Sequence, residues 1–328
     1  MNKKQEAIQQ AGEAQHELII NEATCRGVEC LDVSNEHGKL ATRLILNGRE
    51  ELIVEGIPDS WIKEKTSLIC DEKQLTKELF KQLEIPSPKS YLFTNPNELD
   101  PLNLFDDELE YVCKPTVGTN GIGVVLNLRS IDDVRDYYAA NSARGSEFLL
   151  EEMYNGYDLR IQVIGGKIVA ACIRIPAQIT GNGNHTLQQL IDARRKIVQL
   201  QNPANVLNID EESIHLITEQ GFKLSCVIPE GTNISLKKIS NMAQGGHAID
   251  VTGEISAVVT FWVDKIVNEL KTGYFALDLM CKQHEAYYDG AAVAIEINAR
   301  AEWMHHTFSE VRTHDLAKTV IDVLFPDK

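Results

Sequence analysis

The sequence predicts an α+β fold, with a small N-terminal α/β lobe followed by two α+β subdomains built on antiparallel sheets. Three observations carry this expectation. Apolar residues at helical spacing alternate with short β-type runs along the whole chain. Several runs are joined by turns too short for a parallel crossover, among them "NG" at 47–48 and "GGK" at 165–167. The helices also do not separate every pair of strands, as a doubly wound sheet would require. The expected boundaries are 1–70 for the N-terminal lobe, 71–150 for a small subdomain and 151–328 for a large one.

Taken in order, the first thirty residues have helical apolar spacing. "CLDVSNEHGKLATRLILNGREELIVEG" then reads as short strands with turns at "NEHG" and "NG". "DEKQLTKELFKQLEIPSP" is a helix with an acidic start and a proline-bounded end. The strand "YVCKP", a glycine-rich loop, the strand "GVVLNL" and a helix at "SIDDVRDYYAAN" follow. A second block, "EFLLEEMYNGYDLRIQVIGGKIVAACIRIP", reads as antiparallel strands, and Thr186 opens a helix at "TLQQLIDARRKIVQLQ". The runs "YFALDLMCK" and "AVAIEINAR" are strands joined by "HEAYYDG".

At 328 residues the chain is long enough for two or three packed lobes. Its net charge of −16 argues against nucleic-acid and anionic-membrane partners, while leaving room for a local basic site. No apolar run follows the first lysines, so no signal peptide is expected, and no window is apolar enough for a membrane span. The seven cysteines are scattered without a C-x-x-C, which reads as reduced thiols in a cytoplasmic protein.

The residues offer several candidate constellations. Gly118, Gly121 and Gly123 follow Lys114, so the loop reads either as a phosphate cradle or as a plain hairpin. Asp278 lies in one apolar strand, and Glu296 and Asn298 alternate on one face of another. Paired, they would offer oxygen ligands suited to Mg²⁺; the alternative is a pair of acids at a solvent edge. Glu151, Glu152, Asp158 and Arg160 flank the turn at "NG" 155–156, which fits an adenine-and-ribose hinge or a solvated strand–turn–strand. Arg160 and Arg174 lie inside apolar strands, where an unpaired cation is costly, so each should face a carboxylate or a phosphate.

In this order the segments resemble the ATP-grasp superfamily of carboxylate–amine or carboxylate–thiol ligases, in particular the ATP-grasp portion of bifunctional glutathione synthetase and of cyanophycin synthetase. The resemblance covers about residues 65 to 328. "YVCKPTVGTNGIGVV" is similar to the superfamily's lysine strand and mobile phosphate loop, and "RIPAQITGNGNHTLQQLI" is the most specific match. "ISNMAQGGHAIDVTGEI" resembles a loop that closes the site, and "ALDLM" with "IEIN" resembles the magnesium strands.

The resemblance implies a fold that clasps ATP between antiparallel sheets, with ATP and two Mg²⁺ ions as cofactors. It places Lys73 and Lys114 on the phosphates, the Gly118–Gly123 loop over them, Glu151 and Glu152 at the adenine and Asp158 at the ribose. Asp278, Glu296 and Asn298 would hold Mg²⁺, and Arg174 would steady the transferring phosphoryl group. Asn241, Gly245 and Gly246 would close the far side, with Arg160, Arg174, Glu302 and Trp303 meeting the substrate. Arg194 and Arg195 are further candidates for an anionic substrate, or else a solvated helix face.

The implied chemistry joins small carboxylate and amine substrates through an acyl phosphate, releasing ADP and phosphate, in a homodimer or larger assembly. No covalent protein nucleophile is needed, and none is evident. The segment "NARAEWMHHTFSEVRTHD" departs from the relatives' glycine-bearing turn, so neither substrate can be copied from them. The chain lacks their additional domains and is expected to be free-standing. A thiol-peptide ligase, a phosphotransferase and a non-catalytic nucleotide-binding partner are the alternatives, and retention of both lysines, the metal-type residues and Arg174 speaks against the last.

Overall fold

A computed structural model describes residues 3–99, 104–105, 109–117, 123–202, 205–281 and 292–326, with side chains from residue 12 onward, residue 144 excepted. The chain opens with helix α1 (Lys3–Cys25), then strand β1 (Glu29–Asp32), the short helix α2 (Ser34–His37), β2 (Ala41–Leu46), β3 (Arg49–Val54) and β4 (Ile57–Pro58). The four strands form an antiparallel sheet in chain order. Asn47 and Gly48 join β2 to β3 with φ of 52° and 79°, the left-handed pair that matches the twist of a two-residue hairpin.

Helices α3 (Glu64–Asp71) and α4 (Lys73–Gln82) lead into the next unit. Strands β5 (Ser90–Phe93), β6 (Tyr111–Pro115) and β7 (Val125–Leu128) precede helix α5 (Ile131–Asn141), and β8 (Phe148–Glu152) follows it. The sheet order is β5-β8-β6-β7. Ser130 caps α5, and Asp133 reciprocates in a capping box, which fixes where the helix begins. Phe93, Tyr111, Val134, Tyr137, Phe148 and Leu150 form this unit's own core.

The remainder contains β9 (Tyr157–Ile164), β10 (Lys167–Ile175), β11 (Gln178–Thr180), α6 (Leu187–Gln201), α7 (Glu211–Glu219), β12 (Asn233–Ser235), β13 (His247–Asp250), α8 (Ala257–Leu270), β14 (Phe275–Cys281), β15 (Ala292–Asn298) and α9 (Leu316–Leu324). A five-stranded sheet runs β13-β10-β9-β14-β15, antiparallel throughout. One face packs against α8 and α4 through Leu159, Ile161, Val163, Phe275, Leu277, Val263, Ile266 and Phe80. The other face is polar at its centre and closes at one end on a core that includes Trp303, Tyr274 and Leu316.

Two arrangements go beyond the elements expected from sequence. Residues 177–236 form a satellite with a two-stranded β11-β12 sheet, α6, α7 and a private core of Ile179, Leu187, Ile191, Ile217, Ile228 and Leu236. The N-terminal elements share a core with the C-terminus, where Ile19, Leu44 and Ile53 meet Trp303, Val320 and Ile321. All seven cysteines are free. Among the described residues no helix is long and apolar enough to cross a membrane.

Candidate active site

Strand alternation sends Leu159, Ile161 and Val163 of β9 into the core and leaves Asp158, Arg160 and Gln162 on the opposite face. Register brings their partners together. Arg160 lies opposite Asp278 of β14, Asp278 opposite Glu296 of β15, and Arg174 of β10 opposite Asp158. Arg160 Nη1 donates to both Asp278 oxygens at 2.8 and 3.0 Å. Arg174 donates from Nε and Nη2 to Asp158 Oδ1 at 2.9 and 2.7 Å, and its Nη2 lies 3.2 Å from Asp278 Oδ2. Asn298 Nδ2 bridges Asp278 Oδ2 at 3.2 Å and Glu296 Oε1 at 3.3 Å.

Asp158 and Asp278 face the two guanidiniums of Arg160 and Arg174, and Glu296 joins them through Asn298 on one side and attracts Lys73 on the other. Burial alone would raise Asp278, but Arg160 and Arg174 hold its carboxyl at about 2. Burial pushes Asp158 up to about 6, with repulsion from Asp278 adding to it and Arg174 opposing it.

A second cluster lies beside β15, where α4 packs. Glu151 of β8 is 4% exposed, and its oxygens meet Lys114 Nζ at 2.8 Å and Lys77 Nζ at 3.3 Å. Burial would raise the Glu151 carboxyl, yet the two ammonium groups pull it below its ordinary value. Burial lowers Lys77 to about 8 against the attraction of Glu151. Lys73 is lowered by burial too, with Glu296 pulling it up and Lys114 pushing it down. Lys73 is thus the electrostatic link between the lysine cluster and the acidic sheet face.

Lys77 is not among the residues that the sequence singles out. It lies four residues after Lys73 and so on the same helix face, a signal the sequence does contain. The Glu151 side chain, expected at an adenine edge, is committed to lysines, and Asp158, expected at a ribose, is committed to Arg174. Glu152 stays near the surface with Lys89 Nζ at 3.9 Å. Gly123 has a φ of 72° and its carbonyl accepts from Tyr137 Oη at 2.9 Å. Gly118 and Gly121 lie outside the described residues, as does the joining segment "HEAYYDG".

Asn241 caps a single turn at Met242–Gln244, its Oδ1 accepting from Ala243 N at 2.9 Å. Gly245 follows with a φ of 91°, where a Cβ would also come within 2.8 Å of Leu207. A Cβ on Gly246 would meet the Ile175 carbonyl oxygen at 2.9 Å, so the turn lies tight against the end of β10. Arg195 donates to the Leu207 carbonyl at 2.8 Å, and Arg194 is half-buried with Glu310 as its attracting neighbour.

Trp303 corrects an expectation. It is fully buried among α1, the β2–β3 hairpin and α9, because its indole fills the core where the N- and C-terminal elements meet. It therefore does not line a substrate site in this structure. Glu302 is half-buried; burial pushes its carboxyl up to about 7 against a hydrogen bond from Met304 N at 2.5 Å. Behind it lie His305 and His306, both buried, with burial and the guanidiniums among the causes that hold the imidazoles well below their ordinary value. The sequence carries no periodic signal that marks this pair.

No family model matches the chain. The chain is 27% identical over 319 residues to cyanophycin synthetase of Geminocystis herdmanii, covering 95% of this chain and 36% of the relative. It is 25% identical over 328 residues to the glutathione biosynthesis bifunctional protein of Streptococcus agalactiae, covering 95% of this chain and 42% of that protein. The chain thus spans less than half the length of the curated relatives it matches. Among solved structures, a bifunctional glutathione synthetase from Pasteurella multocida superposes with a TM-score of 0.71 at 19% identity, over 95% of this chain and 43% of that one. The chain is therefore a relative of the cyanophycin synthetases and of bifunctional glutathione synthetase, and it has the ATP-grasp fold that its motifs resemble.

Proposed function

We propose that the protein is an ATP-dependent ligase that joins the carboxylate of one small amino-acid-like substrate to the amine of another through an acyl phosphate. The observation that carries this is the facing of two clusters: Lys73, Lys77 and Lys114 gather around Glu151, and Lys73 is attracted by Glu296 at the edge of the acidic sheet face. A polyanion lying between them would meet ammonium groups on one side and, on the other, carboxylates able to hold its counter-ion.

Asp278, Glu296 and Asn298 suit Mg²⁺ by donor type, since all three are oxygen-bearing and Asn298 lies within hydrogen-bonding distance of both acids. When bound, such an ion would neutralise charge on the triphosphate. The number of ions expected from the resemblance is two.

The chain's own residues would then divide the work. The lysines neutralise and position the phosphates, and Arg174, free to exchange Asp158 for a more acidic partner, steadies the phosphoryl group in transfer. The carboxylate substrate attacks the γ-phosphorus and ADP leaves; the amine then attacks the acyl carbon and phosphate leaves. Arg160, fixed on Asp278, holds the sheet face in register. Residues 71–150 would form the subdomain carrying the lysines and residues 151–328 the one carrying the acidic face.

The test is release of ADP and phosphate from Mg²⁺-ATP against a panel of amino acids, dipeptides and thiol-bearing peptides, with products weighed by mass spectrometry. Turnover with one pair only, and a product lighter than their sum by one water, is expected. A stable phosphorylated product would overturn the ligase in favour of a phosphotransferase. Tight ATP binding with no turnover on any pair would favour the nucleotide-binding partner.

A further inference from the structure

Cys172, His305 and His306 make up a buried group that the proposed ligase chemistry does not use. Cys172 and His306 are 0% exposed and His305 is 3% exposed. The cysteine sulfur and one nitrogen from each ring lie within 4.8 Å of one another. Both ring nitrogens of His305 and both of His306 are buried without a hydrogen-bond partner. A neutral imidazole has one donor and one acceptor to satisfy, and leaving them unmet in the interior is costly. The two rings lie against each other with centroids 4.2 Å apart, so neither ring relieves the other by hydrogen bonding.

We propose that these residues form a second metal site, which takes a borderline-soft divalent cation of the Zn²⁺ type. A thiolate with two imidazoles is the donor set of zinc, whereas Mg²⁺ requires oxygen. The two clusters therefore sort cations by chemistry: oxygen donors at Asp278, Glu296 and Asn298, and sulfur and nitrogen donors here. In a tetrahedral zinc site, ligand atoms are about 3.3–3.6 Å apart, given zinc bonds of about 2.0–2.3 Å. Closing the present spread requires a shift on the order of one ångström, within reach of side-chain rotation in the single turn Met304–Thr307.

A carboxylate also stands behind one of the imidazoles, as around liganding histidines generally. Glu302 Oε2 lies 3.5 Å from His305 Nδ1. His314 packs edge-on to His306 with centroids 6.4 Å apart, and its own Nε2 lies 2.6 Å from Asp250 Oδ1.

The position gives the ion a task. Cys172 is two residues from Arg174 on the same face of β10, while His305 and His306 follow β15 and adjoin Glu302. An ion bound there would pin the turn after the acidic strand to the strand that carries Arg174. It would thus fix Glu302 relative to Arg174 without touching ATP.

The full chain, loaded with Zn²⁺ and dialysed against metal-free buffer containing Mg²⁺, tests this by zinc content; metal-free protein titrated with Co²⁺ tests it by absorption. About one zinc per chain and a thiolate-to-cobalt charge-transfer band are expected. Both should vanish in Cys172→Ser and in His306→Ala, and both should persist in Glu296→Gln and in the double variant Cys25→Ser/Cys30→Ser. Should the buried variants fail to fold, the double variant still decides, because its cobalt band can then come only from the five remaining cysteines, of which Cys172 alone has neighbouring histidines within ligand distance among the described residues. Absence of retained zinc and of the band, or their loss in Glu296→Gln instead of Cys172→Ser, overturns the proposal.

Discussion

Lys114 Nζ donates to Glu151 Oε2 at 2.8 Å between the paired strands β6 and β8, and Lys77 Nζ approaches the other oxygen at 3.3 Å from α4. One buried carboxylate thus holds two buried cations. Glu151→Gln would leave both lysines without their anion, and breaking a buried pair in this way costs about 3–5 kcal/mol. Lys114→Met should cost less, because Lys77 and Glu151 remain as a neutral pair, yet it should remove ATP turnover. Urea unfolding of the three proteins, alongside ADP release, checks both halves. Equal destabilisation by the two variants would count against the shared-anion arrangement.

The sheet face makes a different prediction. Arg174 binds Asp158 through two nitrogens and touches Asp278 with one of them, so its removal should cost stability as well as chemistry. Arg174→Ala should lower turnover by about 10²–10³, the usual effect of deleting one preorganised donor at a developing charge. Glu296→Ala should abolish ATP turnover, with native circular dichroism retained in both. Near-normal ADP release from either variant would remove the site assignment.

Much of this site is legible in the sequence because strands advertise their faces. Glu296 and Asn298 are two apart, as are Asp158 and Arg160, so alternation alone tells which side chains point together. The cost of a lone buried cation likewise predicts that Arg160 and Arg174 face carboxylates, and they do. Pairing across strands far apart in the chain is not readable: nothing local says that Asp278 lies opposite Arg160, or that Glu151 is taken by Lys77 and Lys114. Helices α7, α8 and α9 are legible too, although they do not figure among the expected elements: Asp210, Ser256 and Asp315 cap them, and Leu316, Val320, Ile321 and Leu324 recur at helical spacing in α9. The packing of the satellite core around Ile191 is not, because it joins segments distant in sequence.

Trp303 and Glu302 are adjacent but should behave oppositely. The Trp303 indole fills the core between α1 and α9, so Trp303→Ala should cost about 3–5 kcal/mol and leave substrate preference alone. Glu302→Gln should do the reverse, since its carboxylate is half-buried beside the polar face and feels Arg160 and Arg174. Thermal melts and product ratios from mixed substrates separate the two effects. A changed product ratio in Trp303→Phe, with its fold intact, would return the indole to the substrate site.

His16 makes the stability of the protein depend on pH. It is 4% exposed on α1, where Gly56 N donates to its Nδ1 at 3.2 Å and its Nε2 lies 2.8 Å from Thr42 Oγ1. The accepting Nδ1 requires a neutral ring with the proton on Nε2, donated to Thr42. Burial lowers the imidazole from 6.5 to about 4, with Asp32 opposing it. Between those values the unfolded chain takes up a proton that the folded chain refuses, so stability is full above about pH 6.5 and is lost as pH falls toward 4. The loss approaches roughly 3 kcal/mol, since each pH unit between the two values contributes about 1.4 kcal/mol. Asp158 and Glu302, both raised by burial, act with the opposite sign over part of this range, because their folded forms hold protons that the unfolded chain has released. The wild-type curve alone therefore does not isolate His16, but its difference from His16→Gln does. Urea midpoints of the two proteins should diverge above pH 6.5 and converge as pH approaches 4, since the variant gives the unfolded chain nothing to protonate at this position. A constant difference across that range would show that the folded chain takes up the His16 proton as readily as the unfolded chain, and that Nδ1 does not accept from Gly56.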